Sequence, residues 1–188
     1  LGDRHLSTLI STSCMGMLLQ VMGQLEEAEP LFEEALQGKR ETLGHRHPET
    51  LISINKMGTL LQAMGKLEEA MPLLEEALQA SRETLGDRHP RTLTSIACMG
   101  LLLKDMGHLE EARPLVEEAL QARGVTLGDR HPSTLTSINS MGHLLQKMGK
   151  LEEARPLYEE ALQVRRETLG DRHPDTLQSI NNMGVLLE

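Results

Sequence analysis

A single 42-residue unit repeats through the 188-residue chain and constrains its fold more than any other feature. The dipeptide Leu-Gly recurs without insertion or deletion at residues 1–2, 43–44, 85–86, 127–128 and 169–170. Between the units that start at Leu85 and Leu127, 31 of 42 positions are identical. A fixed period of this length is typical of stacked units that cannot bury their apolar faces alone. The sequence therefore predicts one array over residues 1–188, with full repeats at 1–42, 43–84, 85–126 and 127–168 and a partial repeat at 169–188.

Repeat two shows that each unit contains a pair of helices. Pro48 suits the first position of a helix, where the missing N–H of proline is not needed. The apolar residues that follow recur at the helical spacing of three and four: Leu51, Ile54, Met57, Leu60, Leu61 and Met64. Gly65 can adopt the left-handed conformation that ends a helix. A second stripe then runs from Leu67 to Leu78. Because no segment has the pattern of a strand, we expect an all-α array of nine helices.

Three segments of this unit resemble a known repeat. They read Asn-Lys-Met-Gly-Thr-Leu-Leu (55–61), Gly-Lys-Leu-Glu-Glu-Ala (65–70) and Leu-Glu-Glu-Ala-Leu (74–78), and they resemble the tetratricopeptide repeat. That repeat usually has about 34 residues. The 42-residue form, with Leu-Gly-x-x-His-Pro between units, is similar to the kinesin light chain type. The resemblance implies a right-handed α-solenoid in which Gly58, Ala70 and Ala77 lie where paired helices touch. Armadillo repeats, with three helices in a similar period, are the structural alternative.

Composition and cysteine usage exclude several classes of function. The formal net charge is −9, so a nucleic-acid partner has no electrostatic support. No run of about 18 apolar residues exists, so we expect no membrane-spanning helix. Cys14 and Cys98 occupy the same place in repeats one and three, too far apart for a disulfide, which needs Cα atoms within about 7 Å. Reduced thiols favour a cytoplasmic location.

The histidine in every inter-repeat loop is a tempting catalytic residue. His5, His47, His89, His131 and His173 each follow an arginine. A catalytic histidine needs a positioned nucleophile and an orienting acid, and one copy per loop instead indicates a structural role at the start of the next helix. Zinc needs three or four ligands, and only His45 and His47 are close in sequence. We therefore expect no enzyme activity, no metal site and no cofactor.

A groove is the remaining place for function. The resemblance implies that the first helix of each repeat lines a concave channel that binds an extended peptide or a partner helix. The residues expected to face it are Ser13, Met17, Asn55, Thr59, Gln62, Leu101, Lys104, Asn139, His143, Gln146, Lys147 and Asn181. In related arrays, asparagines at the position of Asn55, Asn139 and Asn181 hold the main chain of the ligand, since an amide both donates and accepts. Arrays of the kinesin light chain type take peptides with an aromatic residue flanked by acids.

A structural role is the alternative to such a peptide-binding scaffold. The array could space domains in a larger protein, form part of a sensor, or associate with itself, without a dedicated peptide site. The partial fifth repeat leaves the apolar residues Ile180, Met183 and Leu187 without a following helix to cover them. Large bare apolar patches are rare on monomers.

We therefore predict end-to-end association of this chain at high concentration. Sedimentation from micromolar to millimolar protein measures it, and the average mass should rise with concentration. A monomer throughout that range would contradict the prediction.

Overall fold

The computed structural model describes residues 5–186, with side chains over residues 5–184, and this part of the chain forms nine α-helices and no strand. The helices are α1 (Leu6–Val21), α2 (Leu25–Leu43), α3 (Pro48–Ala63), α4 (Leu67–Leu85), α5 (Pro90–Asp105), α6 (Leu109–Leu127), α7 (Pro132–Lys147), α8 (Leu151–Leu169) and α9 (Pro174–Leu186). The predicted all-α class is confirmed. Each full repeat holds two helices, so the three-helix armadillo alternative is wrong.

The helices fall into two compact units, unit 1 over residues 1–102 and unit 2 over residues 103–188. Within unit 1, α1 packs on α2, α2 on α3 and α3 on α4. Within unit 2, α6 packs on α7, α7 on α8 and α8 on α9. Sequence neighbours are therefore also neighbours in space, as short connections require.

The loop histidines start the first helix of each repeat. The imidazole Nδ1 of each one accepts a hydrogen bond at 3.1–3.2 Å from the backbone N–H two residues later. Such a bond satisfies one of the donors that the first turn of a helix leaves free. The predicted structural role of the loop histidines is confirmed. At the other end of α3, Gly65 has φ 76° and ends the helix as predicted.

A glycine on the first helices α3 and α7 receives a large side chain from the second helix of its repeat. Leu74 and Tyr158 are fully buried and lie against Gly58 and Gly142, where an added Cβ would come within 2.5 Å and 2.6 Å of their side-chain atoms. Ala70 and Ala77 are fully buried as well. The predicted close contacts at Gly58, Ala70 and Ala77 are confirmed.

The first and last described helices expose apolar side chains. On α1, Leu18 is 54% and Val21 87% exposed. On α9, Ile180 is 38% exposed and Met183 half-buried, and Leu187 lies outside the described residues. These surfaces agree with the pattern that motivates the self-association prediction, which stays a prediction.

The glycine contacts yield a test with an internal control. Gly142→Ala should lower the free energy of unfolding by about 1–3 kcal/mol, because the added methyl group overpacks Tyr158. Gly184 has the same place in the last repeat, and nothing lies within 4 Å of its added Cβ. Gly184→Ala should leave stability unchanged or raise it through helix propensity. Urea denaturation measures both, and equal losses would contradict the packing argument.

Candidate functional site

A cavity of about 380 Å³ opens between the first helices α3 and α5 of unit 1. Residues of these helices, together with one residue of α4, line it: Pro48, Leu51, Ile52, Asn55, Lys56, Thr59, Ser81, Arg91, Thr94 and Cys98. Ligand sites in proteins are typically concave and mostly apolar, with a few placed polar groups. This cavity has that character, and its size is at the lower end of the usual range, which suits a single large side chain.

Asn55 supplies an unused acceptor at this cavity. The residue is only 8% exposed, and its Nδ2 donates to the Ser95 hydroxyl at 2.8 Å. Its Oδ1 is buried without a hydrogen-bond partner in the described part of the chain. A buried acceptor left unpaired costs about 1–3 kcal/mol. Because this oxygen has almost no accessible surface, a ligand with an N–H or O–H donor would recover that energy after a rotation of the Asn55 amide toward the cavity.

Two cations give the cavity a positive rim. Lys56 donates through Nζ to the Ser13 hydroxyl on α1 at 3.3 Å. Arg91 donates through Nη2 to the Glu49 carboxylate at 2.8 Å. The described lining itself contains no carboxylate. An acidic group of a ligand would meet a favourable potential here.

The other predicted groove residues of unit 1 differ in access. Thr59 lines the cavity, and its hydroxyl donates to the Lys56 carbonyl at 2.9 Å. Met17 is 40% exposed on α1, while Ser13 is 2% exposed beneath Lys56. Gln62 and Leu101 are half-buried. The structure thus brings Asn55 and Thr59 to one cavity, and Ser13 reaches it through Lys56.

The asparagines of unit 2 require a correction to the expected burial. Asn139 does not lie off the core: it is 7% exposed, donates to the Leu135 carbonyl at 3.1 Å and accepts at Oδ1 from Asn182 at 3.3 Å. Asn182 is 6% exposed, whereas Asn181 is exposed. The repeat register aligns Asn181 with Asn139, but the inter-helix contact on α9 comes from the next residue.

His143 lies at the centre of a second polar cluster in unit 2. Its ring meets the Tyr158 ring edge-on, with centroids 5.4 Å apart, and the Tyr158 hydroxyl donates to Gln146 Oε1 at 3.1 Å. Burial lowers the pKa of His143, and the charges of Lys104 and Lys147 lower it further. Burial also raises the pKa of Tyr158 to about 12. The Lys104 ammonium lies 3.3 Å from the Asp105 carboxylate, and Lys147 is exposed.

Buried cations between repeats were missed by sequence reasoning. Lys39, Arg123 and Arg165 are 2%, 8% and 5% exposed. Each donates to a buried serine hydroxyl 14 residues later, at 2.8–2.9 Å. The signal that could have found them is a basic residue at the same register position in three of the four complete second helices.

Metal ligation, membrane insertion and disulfide formation were considered for the described residues. No three histidine, cysteine or acidic side chains come together as metal ligands among residues that the structure describes. No described helix combines the length and apolarity that a bilayer crossing demands. Cys14 and Cys98 form no disulfide.

The burial of Asn139 changes what its substitution should do. Asn139→Ala should lower the free energy of unfolding by about 1–3 kcal/mol, because it leaves the buried Asn182 amide without its acceptor. Asn181→Ala should change it by less than about 0.5 kcal/mol, since that side chain is exposed. Denaturant titration of the two variants decides, and equal stabilities would contradict the buried contact.

Comparisons with known proteins agree with this architecture. The tetratricopeptide repeat family matches residues 7–83, 52–124 and 134–175. A solved structure from Podospora anserina, described as a kinesin light chain with nearly identical TPR-like repeats, is 30% identical with a TM-score of 0.79, over 97% of this chain and 86% of that one. BtubC (BKLC) from P. vanneervenii is 23% identical with a TM-score of 0.79, over 96% and 72%.

More distant similarity extends to a Rap protein complexed with competence and sporulation factor. It is 15% identical with a TM-score of 0.79, over 93% of this chain and 47% of that one, and it shows the fold alone. No curated protein matches the sequence. Because the family match spans most of the chain, this protein belongs to the tetratricopeptide repeat family, with 42-residue repeats of the kinesin light chain type.

Proposed function

We propose that this scaffold for protein–protein interaction binds an extended acidic peptide and anchors one aromatic side chain in the cavity between α3 and α5. The observation that carries the proposal is the unpartnered Asn55 Oδ1 at that cavity. Tryptophan and tyrosine each combine a large apolar body with one donor. A rotation of the Asn55 amide toward the cavity would let that donor pair with this acceptor.

The charges around the cavity favour acidic neighbours of that aromatic residue. Lys56 and Arg91 stand at its edge, and only Arg91 is paired with a carboxylate in the described structure. Opposite charge speeds the encounter and rejects wrong partners more than it adds affinity. A peptide with basic flanks should therefore bind poorly even when it carries the same aromatic residue.

The cluster of unit 2 supports a similar preference by itself. The charges of Lys104 and Lys147 act on His143 and lower its pKa. A carboxylate of a ligand at this cluster would raise that pKa. Main-chain binding by Asn139 would require a rotation of its buried amide, so Gln146 and Asn181 are the more accessible of the predicted contacts. A cytoplasmic location stays a prediction that rests on the two reduced cysteines.

Fluorescence anisotropy with a labelled synthetic nonapeptide tests the proposal. The peptide has one tryptophan between aspartate and glutamate residues, and we expect saturable binding. Lys56→Glu should weaken binding at least tenfold, which corresponds to about 1.4 kcal/mol. Replacing the tryptophan by alanine should weaken it at least as much, since the anchor is removed.

Arg88→Glu is the matched control for that substitution. It changes the net charge equally, and Arg88 is an exposed loop residue outside the cavity lining. The affinity of this variant should stay within about threefold of the original, since the Arg88 side chain is exposed and lies outside the cavity lining. Equal losses for both variants, or no binding of the tryptophan peptide, would refute the proposed site.

A further inference from the structure

One position in the second helices differs between repeats in a way that coincides with the cavity. The register places Lys39, Ser81, Arg123 and Arg165 at equivalent points of α2, α4, α6 and α8. The three basic side chains fill the space beside the next first helix and donate to Ser53, Ser137 and Ser179. Ser81 can reach only the equivalent Ser95, with 3.2 Å between the two hydroxyl oxygens.

The surroundings of Lys39 identify what would occupy the cavity in a regular repeat. The Lys39 ammonium interacts with the charges of Glu49, Lys56 and Cys14. Forty-two residues later, the equivalent positions are Arg91, Cys98 and Lys56, and all three line the cavity. The cavity thus lies where the long basic side chain of the other repeats lies.

The charge of the residue beside this position also differs between repeats. Burial lowers the pKa values of Lys39 and Arg165, and the nearby carboxylates of Glu49 and Asp175 oppose that shift. The equivalent residue here is Arg91, which turns to Glu49 at 2.8 Å. A lysine or arginine at position 81 would face Arg91 and Lys56 without an acid beside it. Serine avoids that repulsion, but it leaves the volume empty.

We infer that Ser81 is the specificity-determining residue of the groove: its short side chain opens the α3–α5 segment and thereby fixes where along the array the aromatic anchor of a peptide enters. Basic side chains at the same position occupy the corresponding space beside α3 and α9, where Lys39 and Arg165 donate to Ser53 and Ser179. This inference rests on the proposed peptide binding. The inference adds to that proposal the residue, Ser81, that determines which segment of the groove accepts the aromatic side chain.

The test fills the cavity without adding charge. Ser81→Met supplies a flexible, unbranched chain that adapts to irregular space, and Ser81→Ala removes only the hydroxyl and its bond to Ser95. With the tryptophan nonapeptide, Ser81→Met should weaken binding at least tenfold, while Ser81→Ala stays within about threefold. If the original chain binds and Ser81→Met binds equally well, the inference is overturned while the proposed function stands. If the original chain does not bind, both fail.

A second readout needs no peptide, because the half-buried Cys98 lines the cavity. In a Cys14→Ser background, Cys98 is the remaining thiol, and its reaction rate with N-ethylmaleimide reports access through the cavity. Ser81→Met should slow this reaction at least fivefold relative to Ser81→Ala. Matching circular dichroism spectra and melting curves show that both variants fold. Equal labelling rates in folded variants would show that the residue at position 81 does not control access, which overturns the inference.

Discussion

A close contact between a glycine on a first helix and a large side chain on its partner sets the spacing of the helix pairs α3–α4 and α7–α8. At Gly58 and Gly142 there is no room for a Cβ, so the two helices lie closer together than a residue with a side chain would allow. The alanines of the second helix, fully buried on the opposing stripe, permit the same approach. Once this distance is set, the next first helix can pack on the other side of the second, and the pairwise packing continues along each unit.

A polar layer lies on top of this apolar packing and links one repeat to the next. Serine hydroxyls on the first helices accept from Lys39, Arg123 and Arg165, and these cations are nearly inaccessible to water. Burying a charge is costly, yet each cation donates to a serine. Arg165 also donates to the Asp175 carbonyl at 3.0 Å. The hydrogen bonds compensate part of the desolvation and fix the register between helices of successive repeats.

The proposed binding site arises where this layer is interrupted. Ser81 is too short to fill the space, the Asn55 amide turns one end to Ser95, and its other end has no partner in the described chain. A single substitution in an otherwise regular repeat can create a ligand site in this way, because it leaves a cavity and an acceptor without a hydrogen bond. The same frame in unit 2 holds an occupied amide pair, Asn139 and Asn182, so equal residues at equivalent positions differ in what they can offer a ligand.

The sequence by itself determined the helices, their caps and their pairing. Proline and histidine start the helices and glycine ends them, and these effects are local. The 42-residue period then leaves little freedom in the order in which the helices pack. Tertiary structure decided which polar side chains are buried. Whether Asn139 is free or engaged depends on Asn182, 43 residues away, and whether Ser81 leaves a cavity depends on side chains from α3 and α5. Helical periodicity reports the face on which a residue lies. It does not report what a neighbouring repeat places against that face, because burial and hydrogen-bond partners are properties of the assembled helices.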